Sequence, residues 1–234
     1  MATTGSGAGP SSAAPVYKAT RNLGSDKAAS WRRKTGVARA LLEFAELKKS
    51  IESRNCPISH LSLVDDNAML WRFRIYSFDD GNAGGCQINL DLAELERLHP
   101  GFGYVQMEVS LPPSYPDEPP FLRVVTPRMV QYTGHVTVGG SICIPLLSLT
   151  STLQGWDPQF SLENVIATVI ANFTDAERVL VRTPSGPGGM AGPLRIMLPD
   201  TAQGYPYGWT LLAYSMAEAR GAFQRVEAQH AGLW

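Results

Sequence analysis

The chain has 234 residues, enough for one large domain or one domain with extensions, and its 44% apolar content supplies an ordinary globular core. A formal net charge of -1 gives no general electrostatic attraction to nucleic acid or to a membrane surface, and no apolar run reaches the roughly 20 residues needed to span a bilayer. Cys56, Cys86 and Cys143 are too few and too scattered for a disulfide framework, form no CxxC pair of the kind that holds zinc, and fit a reducing compartment, so a cytoplasmic or nuclear protein is expected.

Residues 1–28 have little to bury and read as a disordered tail; Met1 to Pro15 lacks the basic and apolar regions of a secretory signal. A helix is expected over about Lys34 to Arg54, with Val37, Leu41, Phe44, Ala45 and Ile51 as its apolar face. Ser59 to Val64 and Ala68 to Phe78 read as a hairpin around Asp65-Asp66-Asn67, with Trp71, Phe73 and Ile75 facing in and Arg72, Arg74 and Tyr76 facing out. Asp79 to Gly85 reads as a glycine-rich loop, and Leu90 to Leu98 as a short inserted helix. Gly103 to Leu111 and Phe121 to Val125 are further strands. Between them, five prolines in the nine residues from Pro112 to Pro120 exclude a helix or a central strand and suit a stiff recognition surface.

An irregular stretch then leads through Gly139-Gly140 to Cys143, followed by a loop from Ser148 to Gln154. Ser161 caps a helix whose apolar stripe is Leu162, Val165, Ile166, Val169, Ile170 and Phe173. Val179 to Arg182 and Leu194 to Leu198 read as short strands, Pro206 to Gly208 as a turn, and Thr210 to Gln229 as a last helix. Strands in a sequential run between helices predict an antiparallel meander packed on helices, an α+β architecture.

Cys143 carries the chemistry worth weighing. Ile142 and Ile144 on either side favour a buried structural cysteine. The glycine pair, which lets another chain approach the backbone, and the lack of periodicity from Pro127 to Ser141 favour a reactive thiol held in a functional loop. His135, eight residues earlier, invites a cysteine-hydrolase reading, yet neither an orienting third group nor an oxyanion donor is identified by spacing. Ser185-Gly186-Pro187-Gly188-Gly189 lacks the ending of a phosphate loop and reads as a surface loop. His60, His99 and His230 read as structural.

Four segments together resemble the ubiquitin-conjugating enzymes. Tyr115-Pro116-Asp117-Glu118-Pro119-Pro120-Phe121 resembles their YPxxPP segment, and Gly140-Ser141-Ile142-Cys143-Ile144 the GxICL segment around their catalytic cysteine. Trp156-Asp157-Pro158 and the helix opening at Ser161 resemble the tryptophan-x-proline segment and the helix after it. The glycine-rich approach and the ending Ala219 to Trp234 are similar to the Q-type branch. The resemblance implies a UBC-like fold over about 34–173, within a domain of 29–234 that includes a C-terminal extension.

It also implies Cys143 as a nucleophile that takes ubiquitin, or a ubiquitin-like protein, as a thioester from an activating enzyme and passes it to a substrate lysine or a ligase. No bound cofactor and no metal are implied, since ATP is spent by the activating enzyme. Tyr115, Pro116, Asp117, Pro119, Pro120, Trp156, Asp157 and Pro158 become candidate partner contacts, as do the first helix and the basic residues Arg32, Arg33, Lys48 and Lys49 near it.

Where the family has His-Pro-Asn, this chain has Thr133, Gly134 and His135; His135 stands in the asparagine register, a candidate support for the loop or the oxyanion. The acidic residue that steers lysine has no counterpart in register, and Asp175 and Glu177 are only candidates. A non-catalytic ubiquitin-binding adaptor of the same fold, or a hydrolase using Cys143 and His135, stays open beside this reading.

Overall fold

The computed structural model describes residues 36–53, 56–81, 83–130, 135–148, 155–174, 195–198 and 208–230. The expected tail, the strand at 179–182 and the loop at 183–192 lie outside them, as do Arg32, Arg33, Thr133, Gly134, Asp175, Glu177 and Trp234.

The element order is α1 (Gly36–Ser53), β1 (Ile58–Val64), β2 (Asn67–Ile75), α2 (Ala83–Leu98), β3 (Val105–Ser110), β4 (Phe121–Thr126), α3 (Leu162–Phe173) and α4 (Met216–His230). The four strands form one antiparallel sheet in sequential order, the α+β meander expected. The β1–β2 hairpin turns through Asp65 and Asp66, both at positive φ, the geometry in which the turn matches the twist of its strands. Trp71, Phe73 and Ile75 are fully buried, as the alternation predicts. With Val105, Met107, Val109, Leu122 and Val124 they form one apolar sheet face. The same core contains the expected stripe of α3, whose first turn is capped by Ser161 Oγ accepting the Asn164 N–H at 3.3 Å.

Three elements depart from expectation. In α1 the apolar residues Val37 and Leu41 are 52% and 46% exposed and Ala45 is exposed, whereas Arg39, Ala40, Glu43, Leu47 and Ser50 face inward. The buried Arg39 Nε donates to Glu43, so a charge pair occupies a face that hydropathy would leave to solvent. The inserted helix α2 begins at Ala83, not Leu90, and absorbs the glycines read as a loop. A Cβ on Gly85 would sit 1.6 Å from the Asp79 carbonyl oxygen, so this glycine is there for close packing. The last helix begins at Met216, not Thr210. Ser215 Oγ accepts the Glu218 N–H at 3.1 Å and Glu218 Oε2 accepts the Ser215 N–H at 2.7 Å, a reciprocal cap that fixes the start.

The segment 195–198 makes an isolated bridge, Ile196 to Met129, rather than a full strand. It is held by Asp91 of α2, whose Oδ2 accepts the N–H groups of Arg195 at 2.5 Å and Ile196 at 3.0 Å, while Oδ1 accepts Gln87 Nε2 at 2.7 Å. Burial pushes the Asp91 carboxyl above its ordinary pKa against the pull of those bonds.

Candidate active site at Cys143

Cys143 follows a tight turn laid along the free edge of β4. Ser141 bridges Arg123, the Val124 N–H donates to the Gly140 carbonyl at 2.8 Å, and the Ile142 N–H donates to the Leu122 carbonyl at 2.9 Å. The turn closes through Thr137 N–H to Ser141 O at 2.9 Å, Gly140 N–H to Thr137 O at 2.9 Å, and a 2.7 Å contact between the Thr137 and Ser141 hydroxyls. A Val136–Ile142 bridge braces its base. Ile142 and Ile144 are buried and anchor the strand, and Cys143 between them is half-buried. A thiol so placed is reachable while its backbone is fixed from both sides.

His135 pairs with Cys143 twice. The Cys143 N–H donates to the His135 carbonyl at 2.9 Å, and His135 Nδ1 lies 3.2 Å from the Cys143 carbonyl oxygen, which it donates to when it carries the proton. His135 sits at φ +58°, in the left-handed region where Asn and His are enriched among non-glycine residues. That conformation accounts physically for a histidine in an asparagine register, since both tolerate it and both bring a side-chain N–H. The imidazole is brought to the loop backbone.

The glycine pair has a role different from the one expected. A Cβ on Gly139 would lie 2.2 Å from the Glu218 carbonyl oxygen, and one on Gly140, at φ +88°, would lie 2.6 Å from the Tyr214 ring. What approaches this backbone closely is the chain's own C-terminal segment. Sequence reasoning missed Tyr214 and Glu218 as neighbours of the site. The Ser215-x-x-Glu218 cap was the signal that would have placed them just ahead of and within the helix.

The candidate partner contacts divide. Tyr115, Pro116 and Pro120 are buried, so they are corrected to internal roles. Tyr115 OH donates to Glu43 Oε2 at 2.8 Å, and the Leu162 N–H at the start of α3 donates to the same oxygen at 3.0 Å. Trp156 Nε1 donates to the Pro116 carbonyl at 2.6 Å. Arg39 Nη2 reaches the Phe160 carbonyl at 3.2 Å. The YPxxPP and tryptophan segments thus recognise each other, joined through the Arg39–Glu43 pair of α1. Burial drives the Glu43 carboxyl and the Tyr115 hydroxyl above their ordinary pKa values; the Arg39 guanidinium opposes both shifts. Asp117 and Pro158 are exposed, and Pro119, Trp156 and Asp157 are half-buried. Asp157 Oδ1 also accepts the Gln159 N–H at 2.8 Å, fixing the turn before α3.

A family model described as ubiquitin-conjugating enzyme matches residues 102–179, a span that holds the proline connector, Cys143, Trp156 and α3. Over that span, a third of the chain, the sequence is similar to the ubiquitin-conjugating enzymes. It is similar to the Q-like ubiquitin-conjugating enzyme protein CG4502 of Drosophila melanogaster, 28% identical over 62% of this chain and 42% of that protein. It is also similar to human ubiquitin-conjugating enzyme E2 Q1, 33% identical over 48% of this chain and 24% of that one. The names of these relatives match the Q-type branch to which the sequence points; the chain spans less than half the length of either. Among solved structures, human ubiquitin-conjugating enzyme E2 G1 aligns over 60% of this chain and 95% of its own, at 22% identity and TM-score 0.43. Helix α2 and the described segments after α3 are where the Asp91 latch and the glycine contacts lie.

Proposed function

We propose that this chain accepts ubiquitin or a ubiquitin-like protein as a thioester on Cys143 and transfers it to a substrate lysine or to a ligase. One observation carries the reading: the cysteine in the family's register is half-buried at the end of a hydrogen-bonded turn, with its backbone held on both sides by His135. In the first transfer the Cys143 thiolate attacks the thioester carbonyl on the activating enzyme, a new S–C bond forms, and the activating enzyme's thiolate leaves. In the second, a lysine amine attacks that carbonyl, an N–C bond forms as the C–S bond breaks, Cys143 leaves as a thiolate, and the amine gives up a proton to solvent.

A thioester is already activated toward amines, so positioning and support of the tetrahedral oxyanion are the main contributions required of the protein. His135, through the Cys143 carbonyl, keeps the reacting sulfur in place. Asp117, Pro119 and Pro158 are the proposed partner-facing residues, together with Val37 and Leu41, which α1 presents to solvent. A reducing compartment, cytoplasm or nucleus, suits three cysteines that form no disulfide.

The test mixes the full chain with activating enzyme, ATP and ubiquitin and runs a non-reducing gel. A thiol-sensitive adduct that disappears in Cys143→Ala supports the reading. No adduct with ubiquitin or any ubiquitin-like protein overturns it, and hydrolysis of a ubiquitin ester without ATP replaces it with the hydrolase.

A further inference from the structure

The turn that delivers Cys143 has its glycine backbone pressed against residues more than seventy positions later in the chain. Gly139 lies under the Glu218 carbonyl and the Ala222 methyl, and Gly140 under the Tyr214 ring. Tyr214 is itself fixed at every polar atom. Its N–H donates to the Val125 carbonyl at 2.9 Å, its carbonyl accepts Arg123 Nη1 at 2.6 Å, and its hydroxyl accepts the Met129 N–H at 2.9 Å. Arg128 lies over its ring at 4.5 Å. The same Arg128 donates through Nε to the Leu212 carbonyl at 3.1 Å and through Nη2 to Glu218 Oε1 at 3.0 Å. Arg123 is bound to the buried Glu108, which also takes Arg72, so Tyr214 is tied to a charged row crossing β2, β3 and β4. Phe223 meets Phe121 edge-on at 5.6 Å and Arg220 lies over Phe121, which seats α4 on the β4 side.

We propose that the segment 208–230 is part of the active-site scaffold, and that Tyr214 is a positioning residue that holds the 137–140 turn and through it the Cys143 sulfur. This rests on the thioester-transfer reading. The contact is steric: the turn has no side chain at Gly139 or Gly140, so, besides its hydrogen bonds to β4, its position is set by the surface beneath it, and that surface is Tyr214 and the first turns of α4. With the ring removed, the backbone of Gly140 has an empty space on that side, and the strand carrying Cys143 loses one wall. Loading, an exchange between two thiols, tolerates that looseness better than lysine attack, which needs a defined approach angle.

The experiment compares full-length wild type, Tyr214→Ala, Tyr214→Phe and Ile58→Ala. Ile58 is a core residue of β1, at the edge of the sheet opposite β4, and controls for general loss of stability. Hydrogen exchange of the peptide 136–144 is read first, because it needs no conjugation chemistry. Single-turnover discharge of preformed thioester to free lysine is read second.

Tyr214→Ala is expected to speed exchange in that peptide and to lower the maximal discharge rate by about tenfold or more at unchanged half-saturating lysine. Tyr214→Phe, which keeps the ring over Gly140, restores both, and Ile58→Ala leaves both as in wild type. Tyr214→Leu supplies the same comparison if Tyr214→Ala does not fold. Exchange or maximal discharge no different from Ile58→Ala overturns the inference. Failure of wild type to load any modifier overturns the proposed function instead, and leaves the exchange result to decide whether Tyr214 holds the turn.

Discussion

At the scale of single residues, the site depends on backbone conformation as much as on side-chain chemistry. His135 adopts positive φ and spans the two ends of the Cys143 peptide unit, so removing the imidazole deletes one of its two bonds and keeps the other. His135→Ala is expected to slow discharge to lysine by about tenfold while loading persists, and His135→Asn to recover much of that loss; single-turnover rates check both. Gly139 is constrained from outside. An alanine there places a carbon 2.2 Å from a backbone oxygen that a helix holds in place, so Gly139→Ala is expected to cost about 1–3 kcal/mol, read from denaturant midpoints. Much at this scale was legible in the sequence: the cysteine, the histidine eight residues before it and the glycine pair all stood out. The purpose of the glycines did not, because one sequence gives no sign of which distant segment will lie against them.

At the scale of elements, the helices divide into those whose pattern speaks and those whose pattern misleads. The apolar stripe of α3 is continuous and buries as written. In α1 the same reasoning selects the wrong face, because Arg39 and Glu43 satisfy each other and then find Tyr115, Leu162 and Phe160 across the core. Hydropathy assigns such residues to water and cannot foresee their partners. Glu43→Ala removes the carboxylate that binds Arg39, the Tyr115 hydroxyl and the Leu162 N–H. It is expected to destabilise the fold by about 3–5 kcal/mol by chemical denaturation.

The α4 cap makes a second test. The Ser215 N–H, with Arg128 beside it, lowers the Glu218 carboxyl from 4.5 to about 2. A depressed carboxylate contributes stability that is present above its unfolded pKa and is lost as pH falls through the folded one. The stability difference between wild type and Glu218→Gln is therefore expected to be constant from neutral pH to about 5 and to close between about 4.5 and 2. Ser215→Ala, which removes the other half of the cap, is expected to cost about 1 kcal/mol.

At the scale of the whole molecule, helix α2 and the described segments after α3 are linked to each other and to the site. Asp91 of α2 grips the backbone at 195–196, that segment runs beside Met129 and Val130, and the next residues back, Val125 and Arg128, receive Thr210, Leu212 and Tyr214. The meander, the order of strands and the cysteine between sheet and helix follow from period-two alternation and turn residues near one another in sequence. The link from α2 to the C-terminal segment does not, since it is made by single polar groups over a hundred residues apart. Cys143 is the residue proposed to carry the modifier, and Cys86 offers an internal contrast because it is the exposed cysteine of the three. The most direct measurement is intact and peptide-level mass spectrometry of the chain after incubation with activating enzyme, ATP and ubiquitin. One ubiquitin is expected on the peptide containing Cys143, released by thiol, retained in Cys86→Ser and absent in Cys143→Ala. Attachment at Cys86, an adduct that survives Cys143→Ala, or no adduct with any modifier would contradict that proposal.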